Sequence, residues 1–262
     1  GHRALPLRAV SRGRAQRSAR LSGAARERSR PAGFSRPPGP KLAPVRARGQ
    51  LRLGCPVFGA RSWVGEVLPR KTPPRAQLAA YARIFDAVEG NGTFYGLPPP
   101  EAVERWLEQT PERFRFAFKL PRSITHEARL VGAEHELRAF LRRLRPLGPR
   151  LGPTMIQLPP REGARGLARL VRLLERMPPE WPRAVEVRHE DWFDDGRHER
   201  DLHRALSDHG AERVCLDSQA LFSAPPEDAS TRDAQGRKPK VPARFVSLGP
   251  TPLVRFIGRN DP

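Results

Sequence analysis

Six short stretches of this chain end alike: a small or apolar residue, a polar or charged one two positions on, then a polar or Gly/Pro-containing turn. They are Ala87-Val88-Glu89-Gly90-Asn91, Ala117-Phe118-Lys119-Leu120-Pro121, Met155-Ile156-Gln157-Leu158-Pro159, Ala184-Val185-Glu186-Val187-Arg188, Cys215-Leu216-Asp217-Ser218 and Leu253-Val254-Arg255-Phe256. Side chains of a strand alternate between two faces, so one face of each stretch carries Val, Phe, Ile or Leu and the other runs to a functional group. Helical segments separate the stretches. That order predicts consecutive parallel βα units, an α/β fold of (β/α)-barrel type, with the polar groups gathered at the C-terminal ends of the strands.

Charge is distributed unevenly along the 262 residues. Residues 1–50 hold 13 Lys/Arg against the single acid Glu27, so 12 of the 20 net positive charges fall there. This Arg-rich, Pro- and Gly-containing stretch has no apolar periodicity to offset its ordering entropy and is expected to be disordered. An Arg-rich, acid-poor leader reads as a transit peptide, as a tail that binds nucleic acid non-specifically, or as a solvated or non-native extension. The last reading is preferred, and nucleic acid is not expected to engage the folded part. No apolar run approaches the roughly 20 residues that span a bilayer, so no membrane partner is expected. Cys55 and Cys215 lie far apart with no CxxC or Cys/His ligand spacing, which fits a reducing, cytoplasmic setting with both thiols in packing roles.

Periodicity places the elements. Leu51–Cys55 reads as a first strand, residues 74–85 as a helix opened by Pro74, and 114–119 as a strand with Phe114, Phe116 and Phe118 on one face and Lys119 on the other. Further strands are expected over 154–158, 184–188, 213–217 and 253–257. Helices are expected from Pro100 and over about 133–144, 167–176 and 200–209. Between Ser218 and Ala243 the pattern dissolves, giving either a mobile loop over the site or disorder, with disorder favoured. About seven strands result, too few to close an eight-stranded barrel.

The text of these strand ends resembles the domain-of-unknown-function-72 (YecE-like) family. The matching segments are Val88-Glu-Gly-Asn-Gly-Thr-Phe-Tyr95, Phe118-Lys-Leu-Pro-Arg-Ser-Ile-Thr-His126, Gln157-Leu-Pro-Pro160, Val185-Glu-Val-Arg-His-Glu-Asp-Trp-Phe193, Asp217-Ser218 and Arg255-Phe-Ile-Gly-Arg259. They stand in family order across 51–259. The resemblance implies a TIM-type barrel, here lacking the family's final strand region, and it carries fold rather than chemistry. The opening turn departs from the family's Gly-Thr-Ser-Gly-Trp-like text, with Gly54-Cys-Pro-Val-Phe-Gly59 in its place and Trp63 later.

By strand parity the mouth of such a barrel holds Glu89, Glu186 and Asp217 as acids facing Lys119, Arg188 and Arg255 as bases. Asn91 and Gln157 add hydrogen-bonding amides, His126 and His189 follow on turns, and Tyr95 and Trp192 offer rings to stack on a ligand. A structural ion-pair network is the plain alternative, since buried charges need partners. Three mechanisms fit the residue types. Glu89 and Glu186 can work as acid and base or nucleophile on a glycosidic or similar bond. Glu186, Asp217 and His189 can hold a divalent metal, as in isomerase-like or endonuclease-like barrels. Lys119 can attack a carbonyl, its amine made neutral by burial. The preferred reading is metal-free and cofactor-free acid–base chemistry on a small polar, anionic or carbohydrate-like molecule, with Glu186, Glu89, Lys119 and Asp217 catalytic and the remaining residues binding. A non-catalytic small-ligand binding module is the competing class.

Overall fold

Among the described residues eight short strands, paired wholly in parallel, form the frame: β1 Gly54–Cys55, β2 Ala87–Gly90, β3 Arg115–Phe118, β4 Thr154–Gln157, β5 Arg183–Glu186, β6 Glu212–Arg213, β7 Cys215–Asp217 and β8 Val254–Phe256. The structure, a computed structural model, describes residues 49–223 and 225–259. All but Gly49 of these belong to the unit Gln50–Pro262. The expectation of disorder for residues 1–50 thus falls, apart from its last two residues, outside the described residues.

Strand order follows chain order in three sheets, β1-β2-β3, β4-β5-β6 and β7-β8. Single parallel bridges from Phe116 to Leu151 and from Lys119 to Met155 link the first sheet to the second. The ladder breaks there and again between β6 and β7, so the described residues contain parallel sheets rather than a closed one. The expected strand over 213–217 is two pieces meeting at Val214, one paired with β5 and the other with β8.

Between the strands run α1 Gln77–Tyr81, α2 Pro100–Gln109, α3 Glu134–Leu144, α4 Leu167–Glu175, α5 Arg197–Asp208, α6 Gln219–Phe222 and α7 Ala229–Arg237. The helix expected over 74–85 is shorter, a 3-10 turn at Pro74–Ala76 running into α1. It ends early because Asp86 and Ala87 must donate to the Leu53 carbonyl and begin β2. Tyr81 fixes the junction by accepting from the Cys55 amide at 2.7 Å and donating to the Ala87 carbonyl at 2.8 Å. The 219–243 segment, expected to be disordered or a mobile loop, holds α6 and α7. Its order comes from local polar chemistry, which an apolar periodicity search overlooks: the Asp228 carboxylate caps α7 by accepting from the Thr231 amide at 2.7 Å.

The two faces of the strands part as alternation requires. Phe116 and Phe118 pack against Trp106 of α2 at ring-centroid distances of 5.6 and 5.2 Å; such aromatic pairs each contribute about 0.5–1.5 kcal/mol beyond their buried area. On the opposite face Met155, Ala184 and Val214 form a small cluster with Leu253. Two residues on from each of these stand Gln157, Glu186, Leu216 and Arg255, the layer where polar groups gather.

Candidate functional site

Arg255 joins all three sheets. From β8 its guanidinium donates to both carboxylate oxygens of Glu89 on β2, at 2.7 and 3.0 Å, and through Nη1 to Glu186 Oε2 on β5. Arg188, just past β5, donates through Nε to the other Glu186 oxygen at 2.7 Å, with Nη2 2.6 Å from the same atom. Lys119, just past β3, sets Nζ 3.5 Å from Glu89 Oε1. Glu186 is fully buried, and the other four side chains are only 10–15% exposed. Five of the residues selected by strand parity are thus brought together.

Glu186 has both oxygens occupied. Burial would push its carboxyl up, but the Arg255 and Arg188 charges outweigh that and hold it below the ordinary carboxylate range. Arg255 is correspondingly pushed up: burial acts against its charge, and Glu186 and Glu89 overcome it. Lys119 moves the other way. Burial first and then Arg255 depress its ammonium, with Glu89 and Glu186 only partly compensating.

Lys119 is held by its surroundings. Thr93, in the 3-10 turn Asn91–Phe94, donates its hydroxyl to the Lys119 carbonyl at 2.6 Å, tying the turn after β2 to the end of β3. This brings the Phe94 ring to 5.8 Å from Lys119 Nζ and, edge-on, to 5.1 Å from the His126 ring. His126 sits in a single π-helical turn, Ser123–Glu127, with Nδ1 2.8 Å from Thr125 Oγ1. Burial, then Arg188, Arg122 and Lys119, lower its pKa, so it is neutral near neutral pH.

Gln157 is the register partner of Glu186, hence on the same face, and its buried Oε1 accepts no hydrogen bond among the described residues. Asn91 donates to the Pro56 carbonyl at 2.9 Å and likewise has an unpartnered Oδ1. An orphaned buried acceptor is costly, and a ligand hydroxyl would relieve it. His189 Nδ1 lies 3.2 Å from the Asp191 amide and 3.4 Å from Asp191 Oδ1. The turn is pinned because Asp191 accepts from Ala164 N at 2.8 Å and because a side chain at Gly163 would collide with the His189 ring.

Three expected site residues lie elsewhere. Asp217 does not join the acids and bases: Arg213 turns toward α5, Val214 packs in the opposite-face cluster, and Leu216 pairs with Arg255. Alternation then places Asp217 on the other face of β7, beside its register partner Phe256, where it accepts from the Gln219 amide at 3.0 Å. Trp192, expected to stack on a ligand, is fully buried and donates Nε1 to the Glu162 carbonyl at 2.7 Å. Tyr95 is 82% exposed and rests its ring edge-on against Phe94, so Phe94 is the aromatic residue at the cluster.

Sequence reasoning also missed two lysines. Lys238 follows α7, and its ammonium is depressed by burial and then by Arg255 and Arg188, against the pull of Glu186 and Glu89. Lys240, with Nζ 5.8 Å over the Phe222 ring, helps line a cavity of about 520 Å³ with Pro160, Arg188, His189, Glu190 and Phe193. Both lie in the stretch where periodicity dissolves; the only available signal was the charge of Lys238-Pro-Lys240. Among the described residues no three His, Cys, Asp or Glu side chains gather as a metal-ligand set. Nor is any helix among them long and apolar enough to cross a membrane.

Comparison with known proteins gives a consistent relationship. Residues 52–262 match the family described as "Protein of unknown function DUF72". Over 211 residues the chain is 46% identical to the UPF0759 protein YecE of Escherichia coli strain K12, covering 80% of this chain and 75% of that protein. The UPF0759 protein YunF of Bacillus subtilis strain 168 is 27% identical over 201 residues, covering 74% and 66% respectively. A solved DUF72 family protein from Thermotoga maritima MSB8 superposes with a TM-score of 0.61 at 28% identity, covering 79% of this chain and 74% of that one. One from Enterococcus faecalis V583 gives a TM-score of 0.62 at 24% identity over 80% and 71%, a likeness of fold alone.

Proposed function

The chain belongs to the DUF72 family, and on that premise we propose that its polar cluster binds a small anionic, hydroxyl-bearing molecule and moves a proton on it. The frame is read as a barrel of TIM type, supported by sequence-ordered parallel strands with helices between them and by Arg255 reaching strands of both other sheets. Both cysteines are free thiols, which supports the reducing, cytoplasmic setting.

The observation that carries the reading is the charge of the cluster: Lys119, Arg188 and Arg255 surround only Glu89 and Glu186, leaving one positive charge unmatched. An anionic group of a ligand completes it. Arg188 spends Nε and Nη2 on Glu186 and keeps Nη1 for a charge-assisted hydrogen bond to a ligand anion. Gln157 Oε1 would accept a ligand hydroxyl.

The proton carrier is Lys119. Its ammonium, counted above among the cations, is depressed by burial and by Arg255, so it gives up its proton more readily than free lysine and can serve as a general acid toward a ligand carbonyl oxygen. Glu186 acts as a positioning residue. A carboxylate with both oxygens bonded and no exposed surface orients Arg188 and Arg255 instead of touching the ligand, which argues against Glu186 as the acid of a glycosidase pair.

Small hydroxy- and keto-carboxylates in D2O, followed by NMR, test this. A binder should take up deuterium at the carbon beside its carboxylate or carbonyl. Lys119→Met should abolish uptake while keeping affinity within about threefold, and Arg188→Lys should weaken binding roughly tenfold, about 1.4 kcal/mol. Saturable binding without exchange in the unaltered protein would favour the binding-module reading. Exchange that survives Lys119→Met would remove Lys119 from its role.

A further inference from the structure

On the helix-packed side of β2 and β3, behind the ion cluster, lies a separate cavity of about 540 Å³. Its cause is local. Alternation from Val88 puts Gly90 on this face without a side chain, and a Cβ there would stand 2.4 Å from the Phe118 ring. Ala102 of α2, which also lines the space, is equally small. Pro56 follows β1 after only two strand residues, and Pro98 and Pro99 stiffen another wall. Trp106, Phe116 and Phe118 contribute three rings stacked within 27° of one another. Val57 and Leu97 line the cavity while remaining 45% and 39% exposed, so it opens to solvent.

The lining says what fits. Among the described residues no Lys, Arg or His lines it, and its one ionised side chain, Glu89, has both oxygens bonded to Arg255. A charged ligand would be desolvated there without a partner. Two further polar side chains reach the wall. The Thr93 hydroxyl is spent on the Lys119 and Gly90 carbonyls. Asn91 donates Nδ2 to the carbonyl of Pro56, which lines the same cavity, so its amide stands in the wall; its buried Oδ1 accepts no hydrogen bond among the described residues. The complement of this lining is an apolar body with one hydrogen-bond donor. Size narrows it further. An apolar cavity of about 150 Å³ holds benzene, so this one has room for a fused two-ring system.

We propose that this cavity binds a small uncharged aromatic molecule carrying one N–H or O–H donor, of the indole class. Its rings pack among Trp106, Phe116 and Phe118, and its donor meets Asn91 Oδ1, an acceptor that is costly to leave buried and unpaired. The site shares only Glu89 with the ion cluster and does not rest on the anion reading. It touches the turn that holds Lys119, because Asn91 and Thr93 belong to one 3-10 helix.

Fluorine NMR of 5-fluoroindole titrated with the full chain at pH 7.5 tests it. The compound should bind saturably with Kd below about 1 mM. Its N-methyl derivative, which keeps the rings and loses the donor, should bind about fivefold more weakly or worse. The 3-carboxylate derivative should bind more weakly still, since no cation lines the cavity. Ala102→Phe fills the space and should abolish binding. Because a large residue on the buried face of α2 can also strain the fold, Val57→Asp makes the same test from the partly exposed wall and should cost about tenfold, with circular dichroism unchanged. Equal affinity for the N-methyl compound, or binding that survives Val57→Asp, overturns the proposal. So does the absence of saturable binding; a dimer in light scattering that Val57→Asp dissociates would then give the cavity to a second copy of the chain.

Discussion

Arg255→Met is the most informative single change, because one guanidinium holds two carboxylates from two other sheets. The substitution keeps the volume of the side-chain stem but removes two bonds to Glu89 and one to Glu186. Glu89 keeps Lys119 at 3.5 Å and is 15% exposed, so water recovers part of its loss. Glu186 has no exposed surface and keeps only Arg188, so its Oε2 becomes an uncompensated buried charge. Removing one member of such a buried pair costs about 3–5 kcal/mol, which for a unit of this size lowers Tm by roughly 6–20 °C. Urea unfolding followed by circular dichroism should report the loss with an unchanged m-value. Adding Glu186→Gln should restore at least about 1 kcal/mol relative to the sum of the single changes, since the orphaned charge is gone. A cost for Arg255→Met under about 1 kcal/mol, or strict additivity, would mean the guanidinium is solvated and the three sheets are not joined through it.

Acid should unfold the protein partly through Glu186. Its folded pKa is depressed below the ordinary 4.5, so its contribution is complete above about pH 4.5 and is lost as pH falls through the folded value; urea midpoints from pH 6 to 3 should show a shallower acid limb in Glu186→Gln. Lys119 acts at the other end. Its folded pKa lies below 10.5, so the unfolded chain holds that proton more tightly and stability rises as pH climbs through the folded value toward 10.5, a rise that Lys119→Met should remove. Trp192→Phe should cost about 1–3 kcal/mol by leaving the Glu162 carbonyl without its donor, while anion affinity in calorimetry stays within twofold, as befits a packing residue.

The period-2 alternation made most of the frame legible, because each strand puts a helix-packed Val, Phe or Ile beside an opposite-face polar group. Phe116 and Phe118 against Lys119 is the clearest case, and Glu89, Glu186, Arg188 and Arg255 follow the same rule. The rule failed at β7. Matching Cys215-Leu216-Asp217 to the other strand ends gave Asp217 a place in the polar layer, but alternation from Val214, which belongs to the opposite-face cluster, puts Leu216 in that layer and Asp217 on the other face. A one-residue error moves every side chain of a strand to the other face. Turns were harder still. In Asn91–Phe94 the chain winds as a 3-10 helix, and nothing in the text Thr93-Phe94-Tyr95 says which ring points inward. Lys238 and Lys240 were invisible because their placement depends on one cap and a few loop hydrogen bonds.

A fully buried carboxylate between two arginines is a poor device for stability alone. Desolvating three charges costs about as much as their attraction returns, and replacing such a group by well-packed apolar residues is often neutral or stabilising by about 1–4 kcal/mol. Glu186, Arg188 and Arg255 are arranged as this case describes, with Glu186 fully buried and both arginine side chains only 10–12% exposed. If their role is to hold cations in place for a ligand, the triple variant Glu186→Met/Arg188→Leu/Arg255→Met should separate the two properties. Lys119 then remains to neutralise Glu89, so no new unpaired charge is left on β2. The expected outcome is a Tm at or above that of the unaltered chain, with saturable anion binding lost in calorimetry. A triple variant that unfolds at markedly lower temperature would show that the cluster is there to hold the sheets together. Retained anion affinity would show that the ligand is held without Arg188, and the site would have to be sought elsewhere on the molecule.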